Sequence, residues 1–282
     1  MIVNPVYVIN AQGKRELFSL RKVYRSARYA GALPKDAKAI AEVIGEEIAP
    51  GTTTAEIFRK VRKLLDEKNS GLALRFSLKE AMKKLGPDGF SFEKYVAKIF
   101  EALGFQVEIN QDLPGSCIIG YEIDFVATKD NLIYIGECKY RNAPGDRIDS
   151  KEILANSARF ADILNGPYFK KQKNKGTEIK SIMVTNTKFT SRAKEYSRCM
   201  GVELLGWRYP ENKGLEYLIE QKKLYPITIL PSLKGYLRDV FISHNILLAK
   251  DVLGINGSEF SLENNIPSRF INSLIKEASL LV

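Results

Sequence analysis

The spacing of hydrophobic and polar residues changes twice along the chain. Up to residue 85, two short extended runs are followed by amphipathic stretches with helical spacing. The threonines at 52–54 offer a helix N-cap, and Gly31 and Pro50 mark helix ends. The pattern predicts a pair of short strands within 5–20 and helices at about 21–31, 34–49, 55–68 and 72–85.

The segment 86–220 alternates between helical and extended patterns. Apolar residues from Phe92 to Leu103 follow helical spacing, and Gly104 ends this stretch. The extended segments GYEIDFVA and LIYIGECKY flank Asp130 and Asn131, residue types that are common in tight hairpin turns. A helix at 149–165 follows. The order αβββαβαβ is typical of an α/β domain with a mixed central sheet.

From about Gln221, short apolar stretches are interrupted by proline and glycine, which predicts a small helical module at 221–282. Its short glycine-containing turns resemble helix-hairpin-helix modules, which present backbone N–H groups to phosphate. A packing or dimerisation subdomain is the alternative interpretation. The predicted organisation is therefore three domains, at 1–85, 86–220 and 221–282.

Charge is unevenly distributed over these parts. The net charge is +10, made up of +8 for residues 1–85, −5 for 86–150, +6 for 151–203 and +1 for 204–282. A basic balance favours polyanionic partners, nucleic acid first. The alternative is that a high isoelectric point reflects solubility alone.

The chain carries few signals for other classes of protein. Its cysteines, Cys117, Cys138 and Cys199, are odd in number and far apart, which fits neither a disulfide framework nor a zinc site. The sequence has no apolar run long enough to cross a membrane and no secretory signal, so a cytoplasmic protein without a membrane partner is expected.

The strongest chemical signal is the hairpin EIDFVATKDNLIYIGECKY. Side chains alternate between faces along a strand, so Glu137 and Lys139 share a face, as do Glu122 and Asp124. A two-residue turn would place Asp124 opposite Glu137 and Glu122 opposite Lys139. Opposed residues have Cβ atoms roughly 4.5–5.5 Å apart.

Two carboxylates this close repel each other unless a positive charge lies between them. Their hard oxygens suit Mg²⁺ or Mn²⁺, and such a cation can acidify a bound water and stabilise charge on a phosphate. Lys139 could orient or deprotonate that water or contact the phosphate. Glu93, near the start of the preceding helix, is a candidate helper, as is Glu122. The alternative is a solvated strand face with an ordinary Glu–Lys pair.

Residues 86–207 resemble the Mrr-type restriction endonuclease domain of the PD-(D/E)xK nuclease superfamily. The matching segments are FSFEKYVAKIFEALGFQVE, EIDFVA, ECKYR and SIMVTNTKFTSRAKEYSRCMGVELLGW. The resemblance implies that Asp124, Glu137 and Lys139 are catalytic. It also implies that Asp124, Glu137 and the backbone carbonyl of Cys138 hold the metal.

Residues 4–85 resemble the ATP-cone, a mostly α-helical nucleotide-binding regulatory domain, in VINAQGKRELF, RKVYRSA and RFSLKEA. The resemblance implies ATP or dATP as a regulator, with Lys14, Arg15 and Lys22 as candidate phosphate ligands. Asn10-Ala11-Gln12-Gly13 stands where the family usually has Lys-Arg before an acidic residue and glycine. A helical DNA-contacting or dimerising domain without nucleotide is the alternative.

The segment KKQKNKG at 170–176 is a basic loop that could follow a DNA backbone. Its candidate DNA contacts are Lys170, Lys171, Lys173 and Lys175. An exposed loop that takes no part in binding is the alternative.

Together, these patterns predict a metal-dependent endonuclease that hydrolyses phosphodiester bonds, with double-stranded DNA as the substrate. A homodimer is one way to cut two strands. Two alternatives stay open. One is a nucleotide-responsive DNA-binding protein with a catalytically silent nuclease fold. The other is a nuclease for RNA or branched DNA.

Overall fold

A computed structural model describes residues 5–85, 90–169 and 176–282. The described chain divides into two compact units. The first contains residues 1–82, 227–240 and 249–282, and the second contains 83–226 and 241–248. The structure thus groups most of the predicted C-terminal helical module with the N-terminal segment.

Within the described residues, the strands are β1 (Tyr7–Ile9), β2 (Arg15–Leu17), β3 (Gln106–Leu113), β4 (Tyr121–Lys129), β5 (Leu132–Lys139), β6 (Arg147–Ile148), β7 (Glu178–Thr185), β8 (Lys188–Phe189) and β9 (Glu203–Leu205). The helices are α1 (Leu20–Tyr29), α2 (Pro34–Glu47), α3 (Thr54–Lys68), α4 (Ser70–Phe76), α5 (Leu78–Met82), α6 (Phe90–Ala102), α7 (Ser150–Asn165), α8 (Ser191–Met200), α9 (Leu215–Lys222), α10 (Tyr236–Ser243), α11 (Gly257–Glu263) and α12 (Ser268–Ser279). In the same described part of the chain, two 3-10 helices cover Ile227–Ile229 and Ala249–Gly254.

The first unit begins with the predicted pair of strands, β1 and β2, which are antiparallel. The N-cap of α3 is Thr53, which forms a capping box with Glu56 and satisfies the first N–H groups of that helix. The predicted helix at 72–85 is instead two short helices, α4 and α5, which meet at Ser77. The hydroxyl of Ser77 donates to the carbonyl of Ala73, so the side chain competes with the helical backbone at this point.

The two ends of the chain pack together in this unit. The buried hydroxyl of Thr228 donates a hydrogen bond of 2.7 Å to the carbonyl of Ala81 on α5. The carbonyl of Leu280 lies so close to Gly71 that a Cβ there would meet it at 2.6 Å. These contacts are between residues far apart in sequence, which explains why composition alone separated the segments into different domains.

The second unit is built on a mixed sheet. In the described residues its order is β3-β4-β5-β7-β9, with β3, β4 and β5 antiparallel and β5, β7 and β9 parallel. This agrees with the predicted α/β class. The sequence did not predict β6 and β8, which form a separate parallel pair of two residues each.

The hairpin of β4 and β5 has the predicted turn and register. Asp130 and Asn131 form the turn, and Asp130 adopts a positive φ of 52°. The described pairing runs from Lys129 opposite Leu132 to Phe125 opposite Gly136. Glycine is required at 136, because a Cβ there would meet the Phe125 ring at 2.1 Å.

The structure also bears on the expectation about membranes. In the described part of the chain, every helix is too short or too polar to cross a bilayer.

Candidate active site

Two acidic side chains lie at the end of the β4–β5 hairpin. Asp124 and Glu137 are the next residues along the two strands after the last described pair, Phe125 and Gly136. The backbone N–H of Cys138 donates a 2.5 Å hydrogen bond to Oδ2 of Asp124. The structure therefore brings together Asp124 and Glu137 as the hairpin register predicts.

Glu137 is buried, with 5% of its surface exposed, and each of its oxygens has a cationic partner. Lys139 contacts Oε1 from two residues further along β5. Nη2 of Arg159 on α7 lies 2.7 Å from Oε2. No sequence motif marks Arg159, although its spacing from the buried Asn156 and Ile163 places it on the inward face of α7.

Burial and mutual repulsion raise the pKa of two carboxyls here. For Asp124 the pKa rises from 3.8 to about 6, first because of burial and then because of the charge on Glu137. For Glu93 it rises to about 7, again through burial first and then the charge on Asp124. The charges on Glu137 and Glu122 add to this effect at Glu93. The predicted helper Glu93 thus shares the electrostatic environment of the pair.

The predicted placement of Glu122 opposite Lys139 lies beyond the last described pair of β4 and β5, Phe125 with Gly136, and stays a prediction. On the other side of β4, Glu122 lies opposite Asp112 of β3, and its side chain is exposed. Lys139 contacts Glu137 on its own strand. The burial of Glu137 favours this contact, since an ion pair is stronger with a desolvated carboxylate than with an exposed one.

Asp124 and Glu137 are suited to bind a divalent cation, because they supply two neighbouring carboxylate ligands. Among the described residues, no group of three or more His, Cys, Asp or Glu is arranged to hold a metal ion. The charge on Glu137 nevertheless raises the pKa of Asp124, and a bound cation would relieve this cost of ionising Asp124. The carbonyl of Cys138 is the predicted third ligand.

The end of β5 is fixed by the neighbouring strand β7 and the residue after it. The Asn186 side chain accepts a hydrogen bond from the backbone N–H of Arg141 and donates to its carbonyl, both at 2.8 Å. The Thr185 hydroxyl donates to the carbonyl of Lys139 at 2.6 Å. These contacts hold the backbone around Lys139 from the side opposite β4.

A loop between β3 and β4 is tied to α7 by the Asp162 carboxylate. Ile119 in this loop is 95% exposed. Hydrogen bonds from the loop, led by that of the Ser116 hydroxyl, hold the pKa of Asp162 well below its ordinary value. The donors to this carboxylate are the backbone N–H groups of Ser116, Cys117 and Ile118 and the hydroxyls of Ser116 and Tyr121.

The first unit contains a largely apolar cavity of about 190 Å³. Of the predicted nucleotide ligands, Lys22 lines this cavity and forms a 3.3 Å ion pair with Glu16, which lines it too. Arg15 instead stacks over the Tyr7 ring, and the backbone N–H of Lys14 donates to the Asn10 side chain. The structure thus brings Lys22 to the cavity but not Lys14 or Arg15.

The predicted DNA contacts at Lys170, Lys171, Lys173 and Lys175 lie outside the described residues.

Comparison with known proteins places the chain in a family. A family model described as AF1548-like, C-terminal, matches residues 225–282. The crystal structure of a protein of unknown function, AF1548, is 33% identical and superposes with a TM-score of 0.56, covering 67% of this chain and 96% of that chain. An uncharacterized protein of Archaeoglobus fulgidus is 35% identical over 187 residues, which are 66% of this chain and 99% of that protein. The chain belongs to the AF1548-like family.

A second family model, described as restriction endonuclease, matches residues 86–206 of this AF1548-like protein. The match confirms the predicted restriction-endonuclease-like core and suggests a nuclease. A solved structure of the MspJI restriction endonuclease with a 27-mer oligonucleotide aligns at 13% identity and a TM-score of 0.37, covering 76% of this chain and 44% of that chain.

Proposed function

We propose that this AF1548-like protein is a divalent-metal-dependent endonuclease that hydrolyses phosphodiester bonds in DNA. The observation that carries the proposal is the placement of Asp124, Glu137 and Lys139 at one end of the β4–β5 hairpin, within a restriction-endonuclease-like domain.

Each residue of this trio has a proposed role. Asp124 and Glu137 hold the cation, Mg²⁺ or Mn²⁺, together with the carbonyl of Cys138. When bound, the cation supplies Lewis-acid stabilisation of charge on the phosphate and lowers the pKa of a water. Lys139 orients the attacking water or deprotonates it, and its charge also offsets that of the phosphate. The pKa of Glu93, about 7, lets it hold or release a proton near neutral pH.

Double-stranded DNA is the proposed substrate. Support comes from the restriction-endonuclease family match and from the basic segments on either side of the acidic one, at +8 for 1–85 and +6 for 151–203. A homodimer would supply two active sites for the two strands. RNA and branched DNA contain the same phosphodiester chemistry and belong in the same substrate panel.

A nucleotide effector is proposed for the first unit. The cavity of about 190 Å³ is largely apolar, and Lys22 supplies a cation at its wall. Calorimetry with ATP and dATP tests this part separately. Heat from wild-type protein that disappears in Lys22→Ala would support it, and no heat at millimolar nucleotide would reject it.

One observation favours a second candidate, a DNA-binding protein with a silent nuclease fold. Both oxygens of Glu137 are already paired with cations, by Lys139 and Arg159. An arrangement that permanently neutralises Glu137 would leave little charge for a metal.

Cleavage assays separate the two candidates. Plasmid, linear, methylated and branched DNA and RNA are incubated with Mg²⁺ or Mn²⁺, using wild type beside Asp124→Ala and Lys139→Ala. Cleavage by wild type that both folded variants lose would support the nuclease. DNA binding without cleavage under either metal would favour the silent fold.

A further inference from the structure

Arg159 occupies a position that a metal ligand must give up. Glu137 is buried, and its two oxygens are taken by Lys139 and Arg159. A cation that binds Glu137 has to displace one of these partners or share an oxygen with it. Arg159 is therefore a counter-ion at a carboxylate that the proposed function assigns to a metal.

Of the two partners, Arg159 is the one better placed to leave. Lys139 follows Glu137 by two residues on the same strand, so it stays beside the carboxylate. Arg159 reaches across from α7, and its other described contact is a long hydrogen bond of 3.4 Å from Nη1 to the carbonyl of Glu122. About a quarter of its side chain is exposed, so it can turn toward solvent or a bound ligand.

Electrostatics indicates where Arg159 goes. A divalent cation bound at Glu137 would be repelled by the Arg159 guanidinium beside it, and this repulsion is strong in a partly buried site. A phosphate of the substrate gives Arg159 another anion to pair with, and the planar guanidinium of arginine suits phosphate oxygens.

We propose that Arg159 couples cation binding to DNA binding. It holds Glu137 in the cation-free protein and moves to a phosphate of the DNA when a divalent cation binds at Glu137. This inference rests on the proposed nuclease function and adds a reason for the enzyme to take up its metal together with its substrate. Such coupling is reciprocal, so DNA must raise cation affinity by the same factor as the cation raises DNA affinity.

The test measures Mn²⁺ binding by electron paramagnetic resonance, with and without a short phosphorothioate duplex, so that cleavage is not the readout. Without DNA, Arg159→Gln removes the competitor for Glu137 and should bind Mn²⁺ about tenfold more tightly than wild type. The duplex should then strengthen Mn²⁺ binding about tenfold less in the variant than in wild type. If Arg159 had only a structural role, Arg159→Gln should bind Mn²⁺ more weakly than wild type both without and with the duplex.

Two further variants keep the result interpretable. Arg159→Lys retains the charge but not the planar fork, so it should match wild type without DNA and lose part of the enhancement by DNA. If Arg159→Gln does not fold, the comparison of Arg159→Lys with wild type serves as the test. Lys151→Gln removes an exposed cation from the same helix and should leave both measurements unchanged.

Two outcomes would overturn the inference, and they differ. Equal or weaker Mn²⁺ binding by folded Arg159→Gln, with the wild-type enhancement by DNA, rejects the coupling and leaves the nuclease intact. Wild-type protein that binds the duplex but no Mn²⁺ rejects the nuclease itself and the coupling with it.

Discussion

The backbone N–H of Cys138 donates a hydrogen bond to the carboxylate of Asp124, which fastens β5 to β4 just beyond their last described pair. Along the rest of the hairpin the two strands are joined by backbone hydrogen bonds, whereas here the Asp124 side chain makes the connection. Asp124 therefore holds the strand that carries Glu137 and Lys139, in addition to its proposed part in binding a cation.

This dual role predicts different effects for two substitutions of Asp124. Asp124→Asn keeps an acceptor oxygen for Cys138 and removes repulsion with Glu137, so its stability in urea should equal or exceed that of wild type. Asp124→Ala leaves the N–H of Cys138 without this partner and should be less stable than Asp124→Asn by about 1–3 kcal/mol. Both should cut DNA at least about 100-fold more slowly.

The control for this pair is Glu108→Gln, which neutralises an exposed carboxylate on β3 of the same sheet. It should retain wild-type stability and cleavage. Equal stability of the Asn and Ala variants would contradict the fastening role of Asp124.

Cation affinity should depend on pH near neutrality. Protons compete with the metal for Asp124, whose pKa is raised to about 6 by burial and by the charge on Glu137. Affinity for Mg²⁺ should therefore rise by up to about tenfold per pH unit below pH 6 and level off above about pH 7.5. Calorimetric titrations across this range measure it, and constant affinity from about pH 5 to 8 would argue against Asp124 as a ligand.

Glu93→Gln should change the pH dependence of stability in metal-free protein. The pKa of Glu93 is about 7 in the folded protein and ordinarily 4.5, so the folded state retains a proton that the unfolded state loses. The stability from this proton is present below about pH 4.5 and is lost as pH rises through 7. Glutamine stays neutral, so the variant should gain about 1–2 kcal/mol over wild type at pH 8, after allowance for solvent screening, and almost nothing at pH 4.

Urea denaturation of both proteins at the two pH values provides the measurement. A difference between them that does not change with pH would show that the Glu93 carboxyl is not desolvated.

Gly136→Ala should damage both the fold and the site. The added Cβ would lie 2.1 Å from the Phe125 ring, next to Glu137, so the strand or the ring must shift. Overpacking of this kind should cost about 1–3 kcal/mol in thermal or urea unfolding and should reduce cleavage as well. Phe125→Leu in the same chain should recover part of the loss, and Gly254→Ala, where the space is open, serves as the control.

The sequence predicted the parts of the fold whose signals are local. The Asp130-Asn131 turn sets the hairpin register, and strand alternation then brings Asp124 to Glu137. Strand alternation does not show which carboxylate a lysine will contact. Lys139 contacts Glu137, and the burial that favours this contact is a property of the folded chain.

Long-range partners were also beyond the reach of the sequence patterns. Arg159 lies 22 positions from Glu137, and an inward-facing arginine does not reveal which carboxylate it will meet. The same is true of Thr228 and Ala81, whose contact lies within the unit that joins residues 227–240 and 249–282 to the N-terminal segment. Helical spacing likewise predicted one helix at 72–85 because it does not register the hydrogen bond from Ser77 to the helix backbone.

The hydrogen bonds of the Asp162 carboxylate link evolutionary change in the loop between β3 and β4 to evolutionary change in α7. The loop obtains much of its hydrogen bonding from one side chain on a helix more than 40 positions away, so neither can change freely while the other stays the same. Relatives with a longer or shorter loop should also lack the acid at position 162, whereas those that keep the acid should keep the loop length. Relatives that keep both the acid at position 162 and the loop length should then also be those in which Arg159 on α7 contacts Glu137 as it does here.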